Sequence, residues 1–431
     1  MSRQIPEIPS GNFFGHFKSY VSDPLVFLQK HLREYGDIFT FRVANRRLIF
    51  VNHPDYIKRI LQDNHRNYKK SAAYRKLALL LGDGLFTSDG EFWRTQRRTI
   101  QPAFHRDQIK TYAEVMHELS MNMVNRWKNV SEVELTREMT DITLKIISKT
   151  MLDMDLVTEG KTVGDRLPFA LKFMVNSITS PLALPVWIPT KDNFKFKSTV
   201  KVLDKVIHEI IRQKKKNLGL DLLSQLMLLE DEETGQGMTD KQLRDEVMTL
   251  FLAGHETTAM GMTWILNHVL RDKELRARLV REVKNIKNPW DATGNYYIQN
   301  VINEALRLFA PVWILAREAG GADQLGKYEI YEGDRIIFSP YLVHRHPDFW
   351  ENPEVFDASR FGKEVSHRYA YFPFGGGPRV CIGQYFALME MTILLVNILK
   401  NFPEMQLKSM DQIGYDYSIT LRPDREIRLV L

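Results

Sequence analysis

The stretch from Phe372 to Gly383 holds the one cysteine of a 431-residue chain, so neither a disulfide nor a multi-cysteine metal site can form within it. A lone cysteine is in most sequences a small buried hydrophobe. The neighbours of Cys381 suit chemistry instead. Gly375, Gly376, Gly377 and Pro378 form a tight turn that gathers backbone amides around one point. Arg379 puts a cation two residues before the sulfur, and Gly383 allows close approach where a helix begins. Amide N–H groups, a nearby cation and a helix N-terminus all favour thiolate over thiol. A thiolate on a rigid loop is suited to axial ligation of haem iron, where electron donation from sulfur favours O–O cleavage.

A second group of chemistry-bearing residues lies inside a long helical pattern. Thr239 and Gln242 have capping-box spacing and open an apolar-periodic run to about Leu270, some thirty residues or roughly 45 Å. At its middle stand Ala253, Gly254, His255, Glu256, Thr257 and Thr258. A mid-helix glycine costs about 1 kcal/mol relative to alanine, and threonine bonding back to a carbonyl bends a helix. An acid beside both, in the centre of an apolar helix, breaks local rules as functional sites do. The structural alternative is a small-residue helix crossing with Glu256 exposed. Trp93 and Arg97, four apart on a predicted helix, share one face. Their indole N–H and guanidinium are both donors, as a carboxylate needs; a core-edge tryptophan beside a solvated arginine is the other reading. Glu304 and Arg307 share a helical face and alone would be an ordinary surface pair.

These stretches together resemble the cytochrome P450 family. Phe374, Gly377, Arg379, Cys381 and Gly383 match its cysteine-loop signature at all five fixed positions, and residues 253–258 match its Ala-Gly-x-Glu/Asp-Thr-Thr motif. Glu304 and Arg307, followed by Arg360, match its Glu-x-x-Arg plus Arg triad, with Ala358 where proline is usual. The resemblance runs from the strands near residue 36 to the tail near 423. It implies haem b held between the long helix and the cysteine loop, with Cys381 as iron ligand and Phe374 and Arg379 in the cofactor loop. Trp93 and Arg97 become donors to a haem propionate, Arg317 a second such donor, and His344 a further candidate. Glu256 becomes the acid and Thr257 the alcohol that bring protons to iron-bound oxygen; His255 receives no role. Glu304, Arg307 and Arg360 become a buried network that fixes the loop presenting Cys381.

The remaining elements frame these groups. Residues 36–43 and 46–51 read as two strands joined by a tight turn, His53 and Pro54 end the second, and a helix follows from Asp55. Residues 81–86 form a glycine-punctuated loop leading to the Trp93 helix, and residues 106–180 are largely helical. Residues 180–189 carry three prolines and cannot be a regular helix; they read as a buried connection, or, by resemblance, as part of the channel lid touching an apolar ligand or membrane surface. Residues 383–399 form a helix, and the tail turn near Tyr417 to Pro423 brings its tip, Ile419, to the pocket. The fold class is mainly α: one P450 haem domain over residues 1–431, a large helical body with a small β-rich region enclosing haem.

With 44% hydrophobic and 26% charged residues the composition is that of a globular protein with ample core. No run approaches the length of a membrane span and no signal-peptide pattern opens the chain. The proline-rich residues 5–11 resemble the hinge that follows the anchor in membrane-bound relatives, here without one, so the expectation is a soluble cytoplasmic protein lacking a fused reductase. A formal charge of +6 without a basic-aromatic repeat argues against nucleic acid and suits an acidic ferredoxin or flavodoxin as electron donor, served by its reductase.

By resemblance the activity is insertion of one oxygen atom from O2 into a C–H bond. Peroxide-driven oxygenation and a haem protein that only binds or senses a ligand are the alternatives, both disfavoured by the acid–alcohol pair. The expected pocket lining, Leu80, Ala253, Val312, Ile314 and Ile419, is apolar and calls for a hydrophobic small molecule. Fatty acids and terpenoids or carotenoids are near equals: Arg46 corresponds to an arginine that anchors carboxylates in some fatty-acid hydroxylases, and beside Arg47 it also reads as a solvated turn residue.

Overall fold

A computed structural model describes residues 4–10, 14–153, 159–180 and 183–431. Of the stretches singled out above, Gly11, residues 154–158, Pro181 and Leu182 lie outside them. The chain is mainly α, as expected. Its axis is one helix, Asp240–Arg271, opened by a complete capping box: Gln242 N donates to Thr239 Oγ1 and the Gln242 side chain takes the Thr239 amide. Most of this helix is buried on every side, including Met260, Met262, Ile265 and Leu266 with no exposed surface. Each such side chain contributes about 1.5–3 kcal/mol by leaving water, so packing rather than intrinsic propensity holds the helix. Leu135–Leu152 crosses it closely, and a Cβ on Gly254 would stand 1.9 Å from Ile147 Cδ1. Gly254 is therefore there for the helix crossing.

The β-rich part is a five-stranded sheet. Ile38–Val43 pairs antiparallel with Arg46–Val51, which pairs in parallel with Arg335–Phe338; Leu315–Ala319 and the short Tyr68–Lys70 complete it. The last pairing sets Lys70 opposite Arg317. A separate two-stranded ribbon, Tyr415–Tyr417 with Leu421–Pro423, forms the tail turn.

One connection departs from expectation. The described part of the proline-punctuated stretch, residues 183–189, has no regular helix, but it is not buried: Leu184 is 53% and Trp187 76% exposed. It runs over the surface, tied down where Asn193 Nδ2 donates to the carbonyls of Pro185 and Ile188. No helix among the described residues is long and apolar enough to cross a membrane.

Candidate active site

The long helix and the cysteine loop face one cavity, whose volume traced by the centre of a water molecule is about 280 Å³. A buried water needs about 10–15 Å³ on that measure, so this space fits a large group. Its walls are mostly apolar.

The loop wall is fixed by backbone geometry. Gly375 and Gly377 adopt φ of +74° and +65°, and a Cβ on Gly377 would lie 1.8 Å from the Leu61 carbonyl oxygen. Only glycine fits there. The Cys381 amide donates to the Phe374 carbonyl at 2.9 Å, closing the turn. Cys381 is enclosed by protein on the outside and reaches open space on the cavity side, which Phe374 also lines. Burial pushes the thiol pKa up, against the Gly383 amide and Arg97, which pull it down. Lost hydration outweighs one amide and one guanidinium; a bonded metal ion reverses this, because a coordinating thiol is deprotonated outright.

Behind the loop lies the expected buried network. Arg307 holds Glu304 through two 2.7 Å hydrogen bonds, both side chains having no exposure, and Arg360 Nε donates to Glu304 Oε1 at 3.2 Å. Arg307 Nη1 donates to the His344 carbonyl at 2.8 Å. His344 then reaches the cysteine loop: its Nε2 accepts from the Phe372 amide at 2.9 Å while Nδ1 donates to the Arg307 carbonyl at 3.2 Å. Burial pushes its pKa down to about 3. With both ring nitrogens used and no place in the cavity wall, His344 is not the propionate donor it was expected to be. It links the network to the loop.

A second wall is cationic. Trp93, Arg97, Arg317 and Arg379 all line the cavity as expected, and Lys70 joins them. Arg379 stacks over the Trp93 ring at 4.0 Å and pairs with Asp89; burial lowers its pKa to about 10. Arg97 Nη1 donates to the Val380 carbonyl at 2.9 Å, and Arg317 Nη1 to the Ala316 carbonyl at 2.8 Å. Burial, then Arg317 and Arg379, drive the Lys70 pKa well down, with Asp89 opposing. Three guanidinium groups and the Lys70 amine, with one adjacent acid, call for an anionic group in an otherwise apolar cavity, and a flat hydrophobic macrocycle with two carboxylates meets both demands. The residues present fit haem b. Sequence reasoning missed Lys70, though period-2 alternation in its strand, with Lys69 outward and Lys70 inward, carried the signal.

The third wall is the long helix. Ala253, Glu256, Thr257 and Thr258 line the cavity. Thr257 Oγ1 donates to the Ala253 carbonyl at 2.6 Å, and Glu256 Oε1 accepts from Thr420 Oγ1 at 2.8 Å. His255 turns away, its Nδ1 at 2.8 Å from the Phe251 carbonyl. Of the expected apolar lining, Ala253, Val312 and Ile419 are in place. Leu80 is not: Leu77 and Leu81, one turn apart, face the cavity, while Leu80 is buried against the core and its carbonyl accepts from Arg244 Nη2 at 3.0 Å. Ile314 is not either. Leu315 and Arg317 share the inward parity of their strand, and Ile314 packs against the aromatic cluster of Phe39, Phe41 and Phe50. Arg46 is exposed on its strand and does not line the cavity.

A family model described as Cytochrome P450 matches residues 6–424. Cyclooctatin synthase of Streptomyces melanosporofaciens is 33% identical over 398 residues, covering 89% of this chain and 86% of its own. Cyclooctat-9-en-7-ol 5-monooxygenase of the same organism is 30% identical, covering 89% and 86%. The crystal structure of the cytochrome P450DA heme domain superposes with a TM-score of 0.89 at 27% identity, covering 100% of this chain and 98% of that one.

Proposed function

Since the chain belongs to the cytochrome P450 family, and is accordingly a haem b monooxygenase, we propose that it hydroxylates terpenoids using electrons from a separate small acidic donor. The observation that carries the reading is that Cys381 and the Glu256–Thr257 pair line one apolar cavity from two different elements. When bound, haem supplies the iron at which O2 is activated. Cys381 would hold that iron. Lys70, Trp93, Arg97, Arg317 and Arg379 would hold the two carboxylates, and the rigid cysteine loop fixes where the sulfur stands. Glu256 stores and releases the proton, and the Thr257 hydroxyl, whose own proton goes to the Ala253 carbonyl, offers an acceptor in the same cavity.

The substrate class follows from what the remaining wall lacks. Among the described residues the cations lining the cavity are Lys70, Arg97, Arg317 and Arg379, all taken by the cofactor side. The other described residues of the lining offer a fatty-acid carboxylate no basic side chain, Leu77, Leu81, Val312, Leu315 and Ile419 among them being apolar, and Arg46 is not part of it. A neutral hydrocarbon skeleton suits such a lining, and the names of the two Streptomyces relatives point the same way. The excess of basic residues favours a ferredoxin or flavodoxin with an acidic face.

The test is a titration of the ferric holoprotein, following the low-to-high-spin shift of the Soret band with terpenes, terpene alcohols and long-chain fatty acids, in wild type and Arg46→Ala. Neutral terpenoids are expected to give the shift, equally in both proteins. A shift confined to fatty acids and weakened in Arg46→Ala overturns the substrate assignment.

A further inference from the structure

The tail turn offers the cavity more than an apolar contact. Its tip, Ser418 to Thr420, is clamped by two indoles: Trp313 Nε1 donates to the Ser418 carbonyl at 3.1 Å, and Trp264 Nε1 to the Leu421 carbonyl at 2.9 Å. The Leu421 amide donates to the Pro311 carbonyl at 2.9 Å, which joins the tip to the segment whose Val312 lines the cavity. From this tip Ile419 and Thr420 both face the cavity. Thr420 Oγ1 donates to Glu256 Oε1 at 2.8 Å, and Arg422 Nη1 lies 3.8 Å from the same oxygen. Both partners take Oε1. Oε2 makes no hydrogen bond to any described residue, and Glu256 is part of the cavity wall. One carboxylate oxygen is thus anchored by groups outside the long helix, and the other is left without a described hydrogen-bond partner.

We propose that Thr420, backed by Arg422, is a positioning residue that holds Glu256 so that Oε2 passes protons into the cavity. The inference rests on reading Glu256 as the proton-handling acid. Monooxygenation consumes O2, two electrons, two protons and a C–H bond, and returns an alcohol and water. When protons are misdelivered, the same O2, electrons and protons leave as hydrogen peroxide and the C–H bond is untouched. The electrons in both cases come from the ferredoxin-type donor. Loss of positioning therefore shows as a changed product ratio.

The experiment measures alcohol formed and hydrogen peroxide released per O2 consumed by the reconstituted holoenzyme, with the isoprenoid probe that gives the largest Soret shift. Thr420→Val, Thr420→Ser, Arg422→Gln and Glu256→Gln are compared with wild type. A lost hydrogen bond to a charged group, at 1.5–3 kcal/mol, predicts about a tenfold or greater fall in the alcohol-to-peroxide ratio for Thr420→Val. Probe affinity is read alongside, and a fall in the ratio well beyond any change in affinity marks positioning rather than altered binding. Thr420→Ser restores the ratio. Arg422→Gln, whose side chain is 39% exposed, gives a smaller fall in the same direction without opening the core. Should Thr420→Val not bind haem, this variant decides. A wild-type ratio in Thr420→Val or, failing that, in Arg422→Gln, while Glu256→Gln loses it, overturns the positioning role alone. A wild-type ratio in Glu256→Gln overturns the reading of the acid and the proposal with it.

Discussion

The wall that presents Cys381 and the wall that meets substrate are built on different principles. The cysteine loop is over-determined: positive-φ glycines, a turn closed by backbone hydrogen bonds, and a network in which Glu304, Arg307 and His344 have no exposed surface. The substrate wall is assembled from single side chains on unrelated segments, Leu77 and Leu81 from one helix, Val312 and Leu315 from a strand entry, Ile419 from the tail. Only the first must be held to fractions of an ångström, because sulfur has to meet iron; the second has to be apolar and of the right volume. A position on the first wall tolerates one residue, and a position on the second tolerates several.

The sharpest way to break this contrast is Cys381→Ala, which should abolish the thiolate-ligated ferrous–CO spectrum and turnover together. Survival of either would mean that the loop does not hold the iron. Next comes Glu304→Ala, which leaves Arg307 as a buried unpaired charge at a cost of about 3–5 kcal/mol. Thermal unfolding of the holoprotein should fall steeply, and haem loss should accompany it if the network supports the loop. On the substrate wall, Leu81→Ala and Ile419→Ala should leave the ferrous–CO spectrum unchanged and move the spin-shift affinity by about 1–3 kcal/mol, in opposite directions for small and large probes. A loss of haem in either would erase the distinction between the walls.

The smallest effect is in pH. His344 stays neutral down to about 3, whereas in the unfolded chain it takes a proton near 6.5. Between those values the unfolded state binds more protons, so stability from this group is complete above 6.5 and drains away as pH falls, at about 1.4 kcal/mol per unit. Thermal unfolding between pH 8 and 5 should show that decline in wild type and a flatter line in His344→Gln. Equal slopes would detach His344 from the network.

The same contrast explains what could be read from the sequence. The loop, the triad and the acid–alcohol pair rest on residue types whose local chemistry is specific, so Cys381, Glu304, Arg307, Arg360, Glu256 and Thr257 all stand where their motifs put them. The pocket lining depends on rotation about a helix and on strand parity, where an error of one residue turns a side chain away: Leu80 for Leu81, Ile314 for Leu315. His344 had the right chemistry for a propionate and the wrong direction. Lys70 stands in a strand of three residues, too short for its alternation to stand out. The Thr420 contact to Glu256 joins residues far apart in the chain and left no local mark at all.

Lys70, Arg97, Arg317 and Arg379 come from the edge strand Tyr68–Lys70, the Trp93 helix, the adjoining strand Leu315–Ala319 and the cysteine loop. No two neighbouring stretches of chain can assemble that wall, and it is finished only when the last of them docks. An anionic cofactor seated among them offsets their mutual repulsion and draws four distant stretches together, so haem binding contributes to the stability of the fold as well as to its chemistry, and the midpoint of thermal unfolding should rise as haem is supplied.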